Sequence, residues 1–237
     1  MLARKHLVGG RLLAVKQLYS DRLLLLRFSN LDELGDPRET LLYFEAMGKH
    51  SNLTLVQEGK ILDAMRHVTL EMSRVRQMLP GLPFVMPPRQ DKLTQEEADA
   101  AAIHTRMLQE EGPLHRFIFR SIAGLGAHSA QELAQRVTVQ PDSLLGEIDR
   151  EQTSQELAAL IQGIQAYSQP TLLLEEDGTP REALPFAFVS CPQEFQREMP
   201  THSEAIETLY FERDLRNRFN QRSAGLRRAL TQAKERA

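Results

Sequence analysis

Four prolines between Met78 and Gln90, at positions 80, 83, 87 and 88, limit what this chain can fold into. Proline fixes φ and lacks an amide hydrogen, so neither a helix interior nor a central strand survives that density. The stretch MLPGLPFVMPPRQ must therefore be an ordered crossing or a linker. The residues on its two sides follow different periods. Before it, short bulky apolar runs are separated by turn residues; after it, from Leu93, the apolar spacing is helical. The expected class is α+β. A β-rich region covers residues 1–92, a helical module 93–168, returning strands of the β-rich domain 169–200, and a long basic helix 201–237.

Within the first region MLARKHLVGG ends as a helix stopped by Gly9-Gly10. Its abrupt start, with no capping residue, suggests that an N-terminal portion is missing or that Met1 is not the native start. Strands are expected over Arg11–Leu18 and Arg22–Phe28, joined by Tyr19-Ser20-Asp21, which places Asp21 and Arg22 at a solvent-facing boundary. Ser29 to Glu39 is polar, with a loop at Gly35-Asp36-Pro37. A second hairpin pairs Leu41–Phe44 with Leu53–Val56 around Met47-Gly48-Lys49-His50-Ser51-Asn52. That polar tip is either an ordinary turn or a surface that touches nucleic acid through Lys49, His50 and Asn52. A further turn at Gln57–Lys60 leads to a short strand at Ile61–Met65, while the mixed spacing from Arg66 to Gln77 fits neither period.

After the prolines, Thr94 and Glu97 form a capping-box pattern at the head of a helix that Gly112-Pro113 breaks. Leu114, Phe117, Ile118 and Ile122 share one helical face. Gly124-Leu125-Gly126 then bends the chain, and a new helix starts near Ser129–Leu133. This is a helix-hairpin-helix layout, in which Gly124 and Gly126 let the backbone approach a phosphate at a helix N-terminus. A bend that merely packs is the alternative. A helix over Glu151–Tyr167 follows, with Leu157, Leu160, Ile161 and Ile164 inward. Strands are expected over Thr171–Glu175 and Pro185–Ser190 around the Asp177-Gly178 turn, which makes the helices an insertion between two parts of a β-rich domain. Ser203–Arg236 is one long helix carrying Ala205, Leu209, Leu215, Phe219, Leu226 and Leu230, with the look of a coiled-coil start.

Composition narrows the function classes. The single cysteine, Cys191, excludes an intramolecular disulfide and fits a reducing compartment. No apolar run approaches the roughly 18 residues of a membrane span, and no signal-peptide centre is present, so a cytoplasmic protein is expected. Between Arg213 and Arg236 eight basic residues face two acidic ones in a chain of net charge −3, a basic tail on an acidic body. The seven histidines show no metal-ligand spacing, and there is no phosphate loop and no nucleophile elbow. Neither an enzyme nor a cofactor is expected.

The segments RKHLVGGR, SDR, FEAMGKHSN, ILDAMRHV and VRQMLPGLPFVMPPRQDK occur in the order found in the NFACT family (RqcH, NEMF and Caliban, also known as fibronectin-binding protein A), which this chain resembles over nearly its whole length. The resemblance implies a β-rich NFACT-N domain like the N-terminal domain of DNA glycosylases, a helix-hairpin-helix module, and a helix leading into a coiled coil. It also implies that the first part of NFACT-N, most of the coiled coil and the C-terminal RNA-binding domain are missing. The implied role is ribosome-associated quality control. Such factors bind a large ribosomal subunit, its rRNA and proteins, obstructed by peptidyl-tRNA. They recruit charged tRNA, alanyl-tRNA in bacterial members, and support C-terminal tailing without mRNA. Bond formation is left to the ribosome. The family's Asp-Arg pair falls on Asp21 and Arg22, and its Glu-Ile-Met cluster on Glu45, Ala46 and Met47, with Ala46 in place of the common isoleucine. Arg22 can fork onto phosphate or stack on an unpaired base, and Asp21 can orient it or accept from a base edge. Competing classes are a surface adhesin that binds fibronectin or fibrinogen, and a DNA-repair glycosylase, for which no nucleophile stands out.

Overall fold

A computed structural model describes residues 2–31, 35–138, 140, 142–164, 166 and 168–236, with backbone alone at residue 2 and from 226 onward. Tyr167, expected at the end of a helix, and the side chains of Leu226 and Leu230 lie outside the described residues. The chain divides into two compact units, Met1–Ala98 with Phe119–Gly126, and Asp99–Ile118 with Ala127–Ala237.

The first unit holds helix α1 (Leu2–Leu7) and strands β1 (Arg11–Gln17), β2 (Leu23–Leu31), β3 (Pro37–Glu45), β4 (Asn52–Gln57) and β5 (Lys60–Ala64). They form an antiparallel meander in chain order, β1-β2-β3-β4-β5. Helix α1 is followed by Gly9 in a left-handed conformation, at φ 82°. Glycine enters that region without steric cost, so it stops the helix cleanly. The loop expected at Gly35-Asp36-Pro37 holds at Gly35 and Asp36, while polar residues flanking it join strands, because β2 runs on to Leu31 and β3 starts at Pro37. Polar residues are tolerated there since the strand ends face solvent. Arg27 forks onto Glu39 in this stretch, at 2.6 and 3.0 Å.

The unit's core is Leu23, Tyr43 and Val56 beneath Phe84 and Met86, continuing into Ile61, Ala64 and Met78. The proline-rich segment is docked onto this core. Gly81 N donates to Ile61 O, Ile61 N to Leu82 O, and Phe84 N to Gly59 O, all at 2.8–2.9 Å. Tyr43 and Phe84 stack with ring centroids 4.2 Å apart. The Arg66–Gln77 stretch is irregular, apart from Val68 and Met78, which bond in both directions. It supplies Arg76, whose guanidinium meets both oxygens of Glu45 at 2.5 Å and donates to Val85 O at 3.0 Å. Both side chains are almost wholly buried.

The second unit contains α2 (Ala100–Met107), most of α3 (Leu114–Ser121), α4 (Ala127–Val137), α5 (Arg150–Gln162), strands β6 (Thr171–Leu174), β7 (Pro180–Leu184) and β8 (Gln196–Glu198), and α6 (His202–Arg236). The Thr94–Glu97 box is formed, with Thr94 N donating to Glu97 at 2.9 Å. It closes only a turn. Asp99 caps the helix instead, accepting from Ala102 N at 2.7 Å, which satisfies one of the orphan amides of the first turn. Asp149 caps α5 in the same way, through Gln152 N. The expected apolar face of Leu114, Phe117, Ile118 and Ile122 is buried throughout. The strands after residue 169 do not return to the first sheet. They make a sheet of their own, β7-β6-β8, in which both edges of β6 are already paired. The second of them is Pro180–Leu184 rather than Pro185–Ser190, because Phe186 and Phe188 bury their rings in a non-strand segment beyond it. Helix α6 begins over this sheet with Ala205 buried, and then leaves Tyr210, Phe211, Leu215 and Phe219 exposed.

Segment 188–191 is fixed by a carboxylate. Glu132 of α4 is fully buried and accepts from Val189 N, Ser190 N and Ser190 Oγ at 2.7–3.0 Å, and from Arg136 Nε at 2.6 Å. Burial alone would raise its pKa. The Arg136 and Ser190 side chains and the two amides outweigh burial and hold it below the ordinary glutamate value. A depressed folded pKa means the unfolded chain binds more protons, so this contribution is complete above the ordinary glutamate pKa of about 4.3 and is lost as pH falls through the folded value. In urea titrations Glu132→Gln is expected to cost about 2–3 kcal/mol at neutral pH by mispairing buried amides. It should also lose less stability than the wild type on acidification below about pH 4.

Candidate nucleic-acid interface

The connection between β1 and β2 is built to present one side chain. Leu18 N donates to Leu23 O at 2.9 Å and Asp21 N to Leu18 O at 3.1 Å, which closes the loop. Tyr19 and Ser20 follow each other in the left-handed region, at φ 60° and 50°. Two successive non-glycine residues hold that conformation only where the surrounding loop over-determines it. Asp21 supplies the over-determination. Its Oδ1 accepts from Arg22 N at 2.7 Å, its Oδ2 from Gln90 Nε2 at 3.1 Å, and its carbonyl from Gln17 Nε2 at 2.9 Å. Arg22 O then accepts from Ala46 N at 2.8 Å, tying the tip to the residue after β3. The Arg22 guanidinium is left with its Nε 3.7 Å from Asp21 and with 66% of the side chain exposed.

Beside Arg22 lies a cleft of about 400 Å³, lined by Tyr19, Asp21, Arg89, Lys92, Phe119 and the bend at Gly124–Gly126, among others. Lys92 stands with its ammonium on Phe119 O at 2.6 Å and 4.7 Å from the Phe119 ring centroid. Burial lowers the Lys92 pKa; Asp21 opposes that shift and Arg22 adds to it. Arg89 lies 5.8 Å from the Tyr19 ring centroid and donates to both oxygens of Glu97 at 2.8 Å. The Thr94 amide first, and then Arg89, hold Glu97 at about 2, so the carboxylate is charged and screens Arg89. The cleft thus joins two cations and a screened third with two aromatic rings, a combination suited to phosphate and to unpaired bases.

The second tip is arranged differently. Glu45 is buried against Arg76, and Ala46 and Met47 are half-buried. Gly48–His50 form a single 3-10 turn, with Gly48 at φ 58°, and Lys49 and His50 are exposed. Asn52 is buried. Its amide donates to Arg66 O, and its oxygen accepts from the Leu53 and Arg66 amides, each at 2.9 Å. Arg66 in turn reaches Lys49 O. Asn52 is therefore a brace under the tip, and Glu45 a buried ion-pair partner. Neither side chain has a free face.

Asp21, Arg22, Gly124 and Gly126 line the cleft, whereas Lys49 and His50 do not. Gly124 has φ +80°, and a Cβ there would lie 3.2 Å from Ser20 O, so its lack of a side chain is already required by the neighbouring tip. Gly126 faces open space. Tyr19, Arg89, Gln90, Lys92 and Phe119 belong to the site without having been singled out from the sequence. The PPRQDK run supplies three of them, and a cationic, amide-bearing segment directly after prolines was the available signal.

Known proteins share this architecture. The family model described as NFACT N-terminal and middle domains matches residues 1–237. The protein named Rqc2 homolog RqcH from Bacillus subtilis (strain 168) is 35% identical over 153 residues, covering 61% of this chain and 27% of that protein. The protein of the same name from Streptococcus suis (strain 05ZYH33) is 35% identical over 142 residues, covering 59% and 25%. The chain thus matches about a quarter of the length of these relatives. Among solved structures, the fibrinogen binding protein from Staphylococcus aureus superposes with a TM-score of 0.73 at 21% identity, covering 88% of this chain and 73% of that one, a likeness of fold. The N-terminal part of the fibronectin/fibrinogen-binding protein from Streptococcus suis gives a TM-score of 0.69 at 28% identity, covering 90% and 72%. The match of the family model over the full chain settles the assignment: this chain belongs to the NFACT family.

Proposed function

We propose that the cleft beside Arg22 engages tRNA, and that the chain is part of a ribosome-associated quality-control factor. The single observation that carries this reading is the exposure of Arg22 on a loop that Asp21, Gln17 and Gln90 lock in place. A guanidinium held this way has donors directed at solvent and loses little entropy on binding, which suits phosphate and unpaired bases. Asp21 acts as its positioning residue. Lys92 adds a second cation, and the half-exposed rings of Tyr19 and Phe119 offer stacking faces. Glu45, Ala46, Met47 and Asn52 support the surface, and Lys49 and His50 form its exposed margin. The relatives' name supports the quality-control setting.

The finer parts of the reading follow. The tRNA is alanyl-tRNA, the partner is a large subunit obstructed by peptidyl-tRNA, and the factor supports alanine tailing in the cytoplasm while the ribosome makes the bonds. The α3–α4 bend acts as a helix-hairpin-helix whose Gly126 side meets phosphate, and α6 continues into a coiled coil. No helix among the described residues is long and apolar enough to cross a membrane. A second reading, binding of fibronectin or fibrinogen, is favoured by the Streptococcus suis neighbour. Labelling of intact cells that reached the protein would support it.

In the full-length protein Arg22→Ala is expected to weaken tRNA binding about tenfold or more and to abolish tailing, with the thermal midpoint unchanged, since the side chain packs against little. The log–log salt slope of binding, near −3 to −4 for about four phosphate contacts, should shrink by about 0.7–0.9. Tailing that survives this substitution removes Arg22 from the mechanism. The glycines separate packing from phosphate contact. Gly124→Ala should cost about 1–2 kcal/mol in urea titrations, because of its positive φ and the approach of Ser20 O. Gly126→Ala should leave stability unchanged and weaken tRNA binding. Unchanged binding in Gly126→Ala would show that the bend does not meet phosphate.

A further inference from the structure

The second unit carries a constellation that the tRNA reading does not use. His128, in the first turn of α4, places its Nδ1 2.8 Å from Glu182 Oε2 of β7 and its Nε2 3.8 Å from the Sγ of Cys191. Thiol and carboxylate thus face opposite nitrogens of one ring. A metal site would need these groups to converge on one point; instead they form a line of nucleophile, base and orienting carboxylate, the layout that activates a nucleophile. The ring is also fixed laterally, with the Phe188 ring edge-on at a centroid distance of 4.9 Å.

The thiol is held as firmly as the base. Glu132 binds Val189 N, Ser190 N and Ser190 Oγ. Gln196 clasps Phe188 N and Phe188 O and also donates to Cys191 O at 2.9 Å. Cys191 is neither paired in a disulfide nor sealed in the core, but partly exposed, and the His128 side chain is 28% exposed. A cysteine that only filled space would need neither the ordered segment nor an imidazole beside it.

We propose that Cys191 is a reactive thiol, activated by His128 and Glu182, that forms a mixed disulfide with low-molecular-weight disulfides. In this step the Cys191 proton passes to His128 Nε2, while Glu182 steadies the resulting imidazolium through Nδ1–H. The Sγ attacks one sulfur of R–S–S–R, a new S–S bond forms, and the old one breaks. The departing RS⁻ takes the proton back from His128 as RSH. Cys191 is oxidised, and one sulfur of the small disulfide is reduced. Charged groups close to the pair include Glu182 on β7 and, on α4, Glu132 with Arg136 across the 188–191 segment.

Reaction of the full chain with the aryl disulfide 5,5′-dithiobis(2-nitrobenzoate) tests this, because Cys191 is its only cysteine. At a common pH the native chain should react about tenfold or more faster than the same chain in denaturing urea. Folded His128→Gln should lose that advantage, and Glu182→Gln should lose part of it. The wild-type pH–rate profile should carry an ionisation that His128→Gln lacks, which a purely structural histidine would not produce. A native rate no greater than the unfolded one overturns the proposal, as does an unchanged rate and profile in folded His128→Gln. Should His128→Gln fail to fold, the native-to-unfolded ratio and Glu182→Gln decide in its place.

Discussion

The docking of the proline-rich segment on β5 and Tyr43 governs the first unit. Prolines remove ladder donors, so this stretch cannot join the sheet as a regular strand. The amides it retains are used nonetheless: Gly81 and Phe84 reach carbonyls of Ile61 and Gly59. The Phe84 ring lies on Tyr43. Such aromatic pairs contribute about 0.5 to about 1.5 kcal/mol beyond their buried area. With Phe84 fixed, the next residues have a short and defined reach. Gln90 arrives at Asp21. Lys92 arrives at Phe119, and Leu93 exchanges backbone hydrogen bonds with Ser121 and Ala123. The cleft is therefore a product of packing elsewhere: a crossing placed by its aromatic residue delivers the polar residues that hold the Arg22 loop.

A second buried interaction sets the other side of the same surface. The end of β3 carries Glu45, which would be an unpaired buried charge without Arg76. Such a pair adds little net stability against an apolar substitute, yet removing one partner costs about 3–5 kcal/mol. Its value is geometric. Arg76 also donates to Val85 O and lies 5.9 Å from the Phe84 ring centroid, so strand end, irregular segment and crossing are held together. Ala46, next to Glu45, holds Arg22 O through its amide. Small bulk suffices at position 46, because the contact that matters is made by backbone.

The parts legible in the sequence are those that local chemistry decides. Short apolar runs between turn residues mark β1, β2, the β3–β4 hairpin and β5, and helical spacing marks α3, α4, α5 and α6. What stays hidden depends on pairing at a distance. The extension of β2 and β3 through polar residues rests on cross-strand contacts such as Arg27 with Glu39, which no window along the chain contains. The separate three-stranded sheet is hidden because strands advertise their faces and not their partners. The start of α2 moves to its cap at Asp99 since two acceptable caps lie five residues apart, and Thr94 serves the preceding turn. Within the site, the side-by-side placement of Asp21 and Arg22 at a loop tip follows from the turn residues before them, whereas Gln17 and Gln90 reach Asp21 only in the folded chain. The polar run at residues 47–52 points to an exposed Asn52, yet that residue is buried, because its amide matches the two backbone groups of Arg66.

A carboxylate beside a proposed nucleic-acid contact needs a physical account, since phosphate would repel it. Asp21 has one in its hydrogen bonds. One oxygen accepts a backbone amide and the other an uncharged side-chain amide, while Arg22 stays 3.7 Å away. The charge is thus tied down by neutral donors, and the guanidinium is not consumed in a tight pair. A closer Asp–Arg fork would be a surface ion pair of at most about 1 kcal/mol with its donors saturated. The looser arrangement directs Arg22 while leaving its donors for a ligand. It also requires the donors from Gln17 and Gln90, which arrive from different parts of the chain, one on β1 and one on the crossing. The exposed placement of Arg22 therefore depends on two glutamines that hold its neighbour rather than the guanidinium itself.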